Sequence, residues 1–128
     1  MKTFYRAVGN GALINLLIDG VDFLDWLHSQ DIKADIVLFD PPYSNRQISE
    51  CYKASGIKVT ANDTRNASLY KKVRNSIDKI LKPNGIVISF GWNSCGMGKK
   101  KKYIMEELLL VCHGGAHYDT ISIVERKQ

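Results

Sequence analysis

The sequence predicts an α/β protein with a mostly parallel sheet that ends in an antiparallel hairpin at its C-terminal side. Three observations carry this. Asp35 to Asp40 reads Asp-Ile-Val-Leu-Phe-Asp, four successive apolar residues between acids. That is the pattern of a strand buried on both faces of a parallel sheet. Ala67 to Lys82 places Leu69, Val73, Ile77 and Ile80 on one face with lysines elsewhere, the period of an amphipathic helix. Finally, two apolar segments flank the turn His113-Gly114-Gly115 near the C-terminus.

The elements follow in chain order. Val21 to Ser29 carries Phe23, Leu24 and Leu27 at helical spacing and predicts a short helix ending before Asp31. Asp35 to Asp40 is the first buried strand. Pro41 and Pro42 end it, because proline has no N–H to extend the ladder. Ser44 to Thr64 is polar and aperiodic, and reads as a long irregular loop of functional character. The helix over 67–82 comes next, and Pro83-Asn84-Gly85 terminates it with a turn. Gly85 to Gly91, Gly-Ile-Val-Ile-Ser-Phe-Gly, is a second buried strand. Lys99 to Glu106 is expected as a helix with a basic start, Glu107 to Cys112 as a third strand, and Thr120 to Glu125 as the last. The final two strands are expected to pair as a hairpin.

Length and composition bound the possibilities. With 128 residues, 45% of them hydrophobic, the chain suits one domain with a real core, 1–128, and is too short for two. Its apolar runs are too short to span a membrane. Met1 to Asn15 lacks the pattern of a signal peptide. Three cysteines at unpaired spacings, Cys51, Cys95 and Cys112, read as reduced thiols in a cytoplasmic protein. A net charge of +5 fits a polyanionic partner. The excess is concentrated in Lys99–Lys102 and in a second group, Lys71, Lys72, Arg74, Lys79 and Lys82.

The chemistry is concentrated at Asp40, Pro41, Pro42 and Tyr43. Ligands of open α/β sheets bind beyond the carboxyl ends of the strands, where these four residues fall. Their types suit an exocyclic amine on a nucleobase. Such an amine is a poor nucleophile, because its lone pair is delocalised into the ring. Two acceptors that hold both N–H groups draw the nitrogen toward tetrahedral geometry. The Asp40 carboxylate and the Pro41 carbonyl supply two acceptors, and the fixed φ of the prolines freezes the carbonyl. Tyr43 offers an aromatic face to a flipped base. Positioning is then the main catalytic term. Read alone, the four residues are also a plain strand-ending turn.

Three blocks resemble the phage- and prophage-type adenine-specific DNA methyltransferases: DIVLFDPPYSNRQISECY from Asp35 to Tyr52, KPNGIVISFGWNS from Lys82 to Ser94, and HGGAHYDTISIVERK from His113 to Lys127. The likeness runs from about Asp19 to the C-terminus. It implies a Rossmann-like methyltransferase fold, S-adenosylmethionine (SAM) as methyl donor, and adenine N6 of DNA as target. Asp40, Pro41, Pro42 and Tyr43 match the family's catalytic motif. In such proteins an acid ahead of this strand contacts the cofactor adenine. Asp19 is the best match and Asp22 the second, although Asp19 fits a helix N-cap equally well. Asp40 and Phe39 are expected beside the cofactor, with core packing the other reading of Phe39. The family usually carries a further strand, loop and helix before the acid, a unit of about 30 residues or more. Only residues 1–18 precede Asp19. The fold is therefore expected to be truncated, with the cofactor half missing or supplied by a partner chain, and a homodimer or complementing subunit is expected to cover the exposed edge. The alternative is a catalytically degenerate methyltransferase fold that binds DNA or a protein.

Other residues complete the expected site. Trp92, Asn93 and Ser94 follow the second buried strand and are candidates to line the base pocket; core packing is the other reading of Trp92. Arg46, Lys53 and Lys58 are candidates for phosphate contact or for solvated loop charges. Lys99–Lys102 suits sequence-independent backbone contact or a plain solvated surface. His113, His117 and Cys112 flank a glycine turn without the spacing of a zinc site, so no metal is expected.

Overall fold

In the computed structural model, the described residues are 2–9, 12–54, 56, 66–98, 102–115 and 117–128. They form six strands and three helices, and fall into two compact units. The first unit is residues 1–33 with 44–80, and the second is 34–43 with 81–128.

The first unit opens with a hairpin that the sequence reading did not anticipate. Strands β1 (Lys2–Gly9) and β2 (Ala12–Asp19) pair antiparallel, with Phe4 opposite Leu17. Helix α1 (Gly20–Ser29) follows directly, and Asp19 is its N-cap. The Asp19 carboxylate accepts the Val21 N–H at 2.9 Å, satisfying one of the donors that a helix start leaves open. Phe23 and Leu27, one turn apart, are the buried residues of this helix. Each such side chain contributes about 1.5–3 kcal/mol on burial.

Helix α3 (Asn66–Ile80) packs on α1. Ile77 and Ile80 are buried, as the apolar stripe predicts, and Val73 is half-buried. Beside them the buried Ser76 hydroxyl donates to Asp25 at 2.9 Å, and Lys79 approaches the same carboxylate at 3.7 Å. In chain order α2 (Asn45–Ala54) falls between these two helices, in the segment expected to be an irregular loop. That expectation is corrected for residues 45–54. The Ser44 hydroxyl accepts the Gln47 N–H, Arg46 pairs with Glu50 one turn on, and Ile48 is buried. Its polar composition hid the helix. Lys58 lies outside the described residues.

The second unit is a four-stranded mixed sheet in the order β3-β4-β6-β5. Its strands are β3 (Ala34–Phe39), β4 (Leu81–Gly91), β5 (Tyr103–Val111) and β6 (Thr120–Lys127). β3 and β4 are parallel, and β6 runs antiparallel to both β4 and β5. Three strands thus share one direction, and β5–β6 is the expected hairpin. Alternation sets the faces: Val87, Ser89, Ile123 and Glu125 are buried, while their sequence neighbours Ile86, Ile88 and Val124 are half-exposed.

Three expectations change here. β3 is not buried on both faces, since Ile36 is 58% and Leu38 68% exposed. Among the described residues it pairs with β4 alone, as an edge strand. The segment after the lysine run is also not helical where it is described. Tyr103 to Glu106 belongs to β5, and Lys99–Lys101 lie outside the described residues. Leu108, Leu109 and Leu110 on β5 are exposed. Lastly, Pro83-Asn84-Gly85 does not separate helix from strand. Ala34 faces Leu81 whereas Ile36 faces Ile86, so this tripeptide bulges within β4. Asn84 takes φ +61°, a left-handed value that asparagine tolerates better than most residues.

Candidate functional site

Strand direction gathers the site. β3 and β4 are parallel, with Phe39 opposite Ser89. Their carboxyl ends therefore lie at one end of the sheet, and Asp40 leaves β3 where Trp92 leaves β4. β6 runs the other way, with Ile121 opposite Gly91. Thr120 in turn faces Val111 of β5. The residue 112–119 connection is thus brought to the same end.

At that end Tyr43 donates its hydroxyl proton to Asp40 Oδ1 at 2.6 Å. The Tyr43 ring meets Trp92 edge-on, with centroids 5.5 Å apart and planes 63° apart. Trp92 meets Tyr118 in the same manner at 5.0 Å and 64°. Asp40 is exposed, Trp92 is 38% exposed and Tyr118 is 77% exposed. Of the residues expected to line the site, Asp40, Pro41, Pro42, Tyr43, Trp92 and Asn93 therefore belong to one unit and one sheet end. Phe39 is half-buried at the end of β3, opposite Ser89. Asn93 is exposed and turns its amide oxygen back on the Cys95 N–H at 3.0 Å, which shapes the loop after Trp92.

That loop is anchored from below. Glu125 on β6 is 6% exposed, and its Oε2 accepts the Met97 N–H at 2.7 Å. Gly96 has φ +46°, and a Cβ there would stand 2.3 Å from the same oxygen. Only glycine lets the backbone come this close to the carboxylate. Met97 is itself buried.

Asp19 and Arg46 belong to the first unit. Asp19 Oδ1 is engaged in capping α1. Arg46 Nε donates to Glu50 Oε1 at 2.8 Å, and this hydrogen bond raises the guanidinium pKa. Lys53 and Lys102 are exposed. His113 uses its backbone N–H on Asp119 and its ring on Thr120, and no cluster of three metal-ligating groups occurs among the described residues.

Tyr118 was missed by the sequence reading. Its only signal is an aromatic residue in a polar turn, which gains meaning when the hairpin returns it to Trp92.

Neither a protein-family model nor a curated protein matches the sequence significantly. Solved structures do match. SMU.776, a protein assigned as a methyltransferase and solved with SAH, aligns at TM-score 0.58 and 15% identity, over 86% of this chain and 30% of that one. TrmN from Thermus thermophilus aligns at 0.57 and 17%, over 88% and 28%. M1.HpyAVI aligns at 0.52 and 12%, over 86% and 52%; a further structure of that protein is its SAM complex. This chain spans between 28% and 52% of the length of these three. It is similar to all of them in fold, and the α/β fold expected from the sequence is the one the chain adopts.

Proposed function

We propose that this chain is a SAM-dependent methyltransferase, or the catalytic half of one, acting on the exocyclic N6 amine of adenine in DNA. The observation that carries this reading is the Asp40–Pro41–Pro42–Tyr43 segment at the carboxyl end of β3, with Trp92 beside it.

In this reading the Asp40 carboxylate and the Pro41 carbonyl accept the two N–H groups of the amine. Tyr43 and Trp92 supply aromatic surface for the extruded base. Proline fixes φ at Pro41 and Pro42, so the carbonyl is preorganised before the base arrives. Because Asp40 Oδ1 already holds the Tyr43 hydroxyl, the incoming amine displaces that hydroxyl. Once the amine has taken up the methyl group, its surplus proton would leave through the exposed Asp40 carboxylate to water.

SAM supplies an electrophilic methyl group when bound. The residues proposed to hold it are Asp19, Phe39 and Asp40. Their chemistry fits: an aromatic ring at a sheet end suits a purine, and carboxylates accept from hydroxyl and ammonium groups. Asn93 and Arg46 complete the proposed DNA contacts, and residues 1–128 act as one methyltransferase-like domain. A second copy or a complementing subunit is proposed to cover the exposed residues of β3 and β5.

The test is transfer of a labelled methyl group from SAM to DNA by the purified chain. Product at adenine N6 that disappears in Asp40→Ala is the expected result. Activity that survives this substitution overturns the assigned chemistry. A chain that neither binds SAM nor transfers methyl, alone or self-associated, supports the degenerate-fold alternative instead.

A further inference from the structure

The second tyrosine of the aromatic series has no part in holding the target amine. Tyr43 lies against Asp40, and Trp92 stands between Tyr43 and Tyr118 in the run of edge contacts. Tyr118 is thus one ring further out than a base held at Asp40. It is also 77% exposed, so most of its apolar ring faces water. An exposed ring of this kind has a free face to offer a ligand.

The ring is nonetheless held in place. Its neighbour Asp119 accepts the His113 N–H at 2.9 Å, and Thr120 Oγ1 lies 3.0 Å from the His113 ring nitrogen. These two contacts tie both ends of the hairpin connection together around Tyr118. Trp92 fixes the ring's tilt from the other side at 5.0 Å. An exposed side chain that is ordered before its partner arrives loses little entropy on binding.

We propose that Tyr118 is a stacking platform for the nucleobase next to the target, and that the site therefore takes an unpaired nucleic-acid segment in preference to intact duplex. This rests on the methyltransferase reading for the position of the target base, and it adds the substrate's strand state. In duplex the neighbour of a flipped base stays paired, and the one face that flipping frees lies inside the helix, away from a ring beside the pocket of the extruded base. In a single strand every base has a free π-face, and stacking on an aromatic side chain is tolerant of base identity. Two bases on one series of rings is the stacking arrangement that single-strand binders use.

The test measures binding of a labelled oligodeoxyadenylate, single-stranded and annealed to its complement, by fluorescence anisotropy. Wild type is expected to prefer the single strand. Tyr118→Ala should weaken single-strand binding roughly 5- to 150-fold, the range for losing one base stack, and leave duplex binding unchanged. Tyr118→Phe and Tyr118→Trp should restore it. The salt dependence should keep its slope, since no phosphate contact is removed. A general structural defect would weaken both substrates and would not be rescued by phenylalanine. Equal binding of Tyr118→Ala and wild type to the single strand overturns the proposal, as does a wild-type preference for duplex. If methyl transfer persists in either of those cases, the methyltransferase reading stands without the platform. If Tyr118-dependent single-strand binding occurs with no methyl transfer, the platform stands and the catalytic reading falls.

Discussion

Replacing Tyr43 by phenylalanine separates the two roles that the structure gives this residue. The ring stays against Trp92, and only the hydroxyl that occupies Asp40 Oδ1 at 2.6 Å is lost. A hydrogen bond to a charged group is worth about 1.5–3 kcal/mol. Asp40 is exposed, so water competes for its oxygens and about 1 kcal/mol is the better figure. In the proposed reaction the substrate amine must displace this donor. Freeing the carboxylate should thus strengthen binding of the base by roughly fivefold, the equivalent of about 1 kcal/mol. The assay is steady-state methyl transfer at varied DNA concentration: Tyr43→Phe should lower KM with kcat little changed. Tyr43→Ala removes the ring as well and should raise KM roughly 5- to 150-fold through the lost stack. A Tyr43→Phe variant whose kcat falls a hundredfold or more would refute the reasoning. It would mean that the hydroxyl orients Asp40 for the reaction instead of occupying the place of the amine.

Gly96→Ala must combine a left-handed backbone with a Cβ 2.3 Å from the Glu125 carboxylate. Backbone strain and overpacking together predict a loss of about 2–5 kcal/mol, read by denaturant unfolding. The Arg126 hydrogen bond holds the Glu106 carboxyl below its usual pKa. Its contribution is complete above the ordinary carboxylate range and is lost as pH falls through the lowered value. The stability gap between wild type and Glu106→Gln should accordingly narrow on acidification, as followed by unfolding at several pH values. Leu109 is 61% exposed on edge strand β5, so Leu109→Lys should reduce any self-association seen by sedimentation. A wild type that is monomeric at high concentration would count against the covered-edge expectation.

Much of this was legible in the sequence because it depends on local signals. Proline after an apolar run placed Asp40 at a strand end, and helical periodicity placed Ile77 and Ile80 in a buried stripe. What escaped depends on partners distant in the chain. Ile36 and Leu38 have the composition of a strand buried on both faces, yet strand order leaves them exposed at an edge. A run of apolar residues reports what a strand is able to bury and says nothing of which neighbours it has. Tyr103 to Glu106 was assigned to a basic helix by proximity to the lysines, whereas cross-strand pairing with β6 makes it strand. Helix α2 escaped because its sequence, Asn-Arg-Gln-Ile-Ser-Glu-Cys-Tyr-Lys-Ala, is mostly polar and sets no clear apolar period. Tyr118 was lost because its role exists only after a hairpin has folded back.

The same dependence on pairing explains why the site is specific to this fold and not to its motif. Asp40 and Trp92 are separated by two helices and a strand in the chain. They meet because Phe39 falls opposite Ser89 in a parallel pair. A slip of one residue sends alternate side chains to the opposite face: in β4 it would put Ser89 where Ile88 now stands, and in β6 Glu125 where Val124 now stands. Glu125 would then lose Met97, and the loop behind Trp92 would lose its anchor. The slip would thus cost the buried Glu125–Met97 hydrogen bond and turn Ile123 out of the core. Residues with no proposed contact to a substrate, Ser89, Gly96 and Glu125, fix where Trp92 stands. Through Trp92 they fix the distance from the acceptor at Asp40 to the open ring of Tyr118.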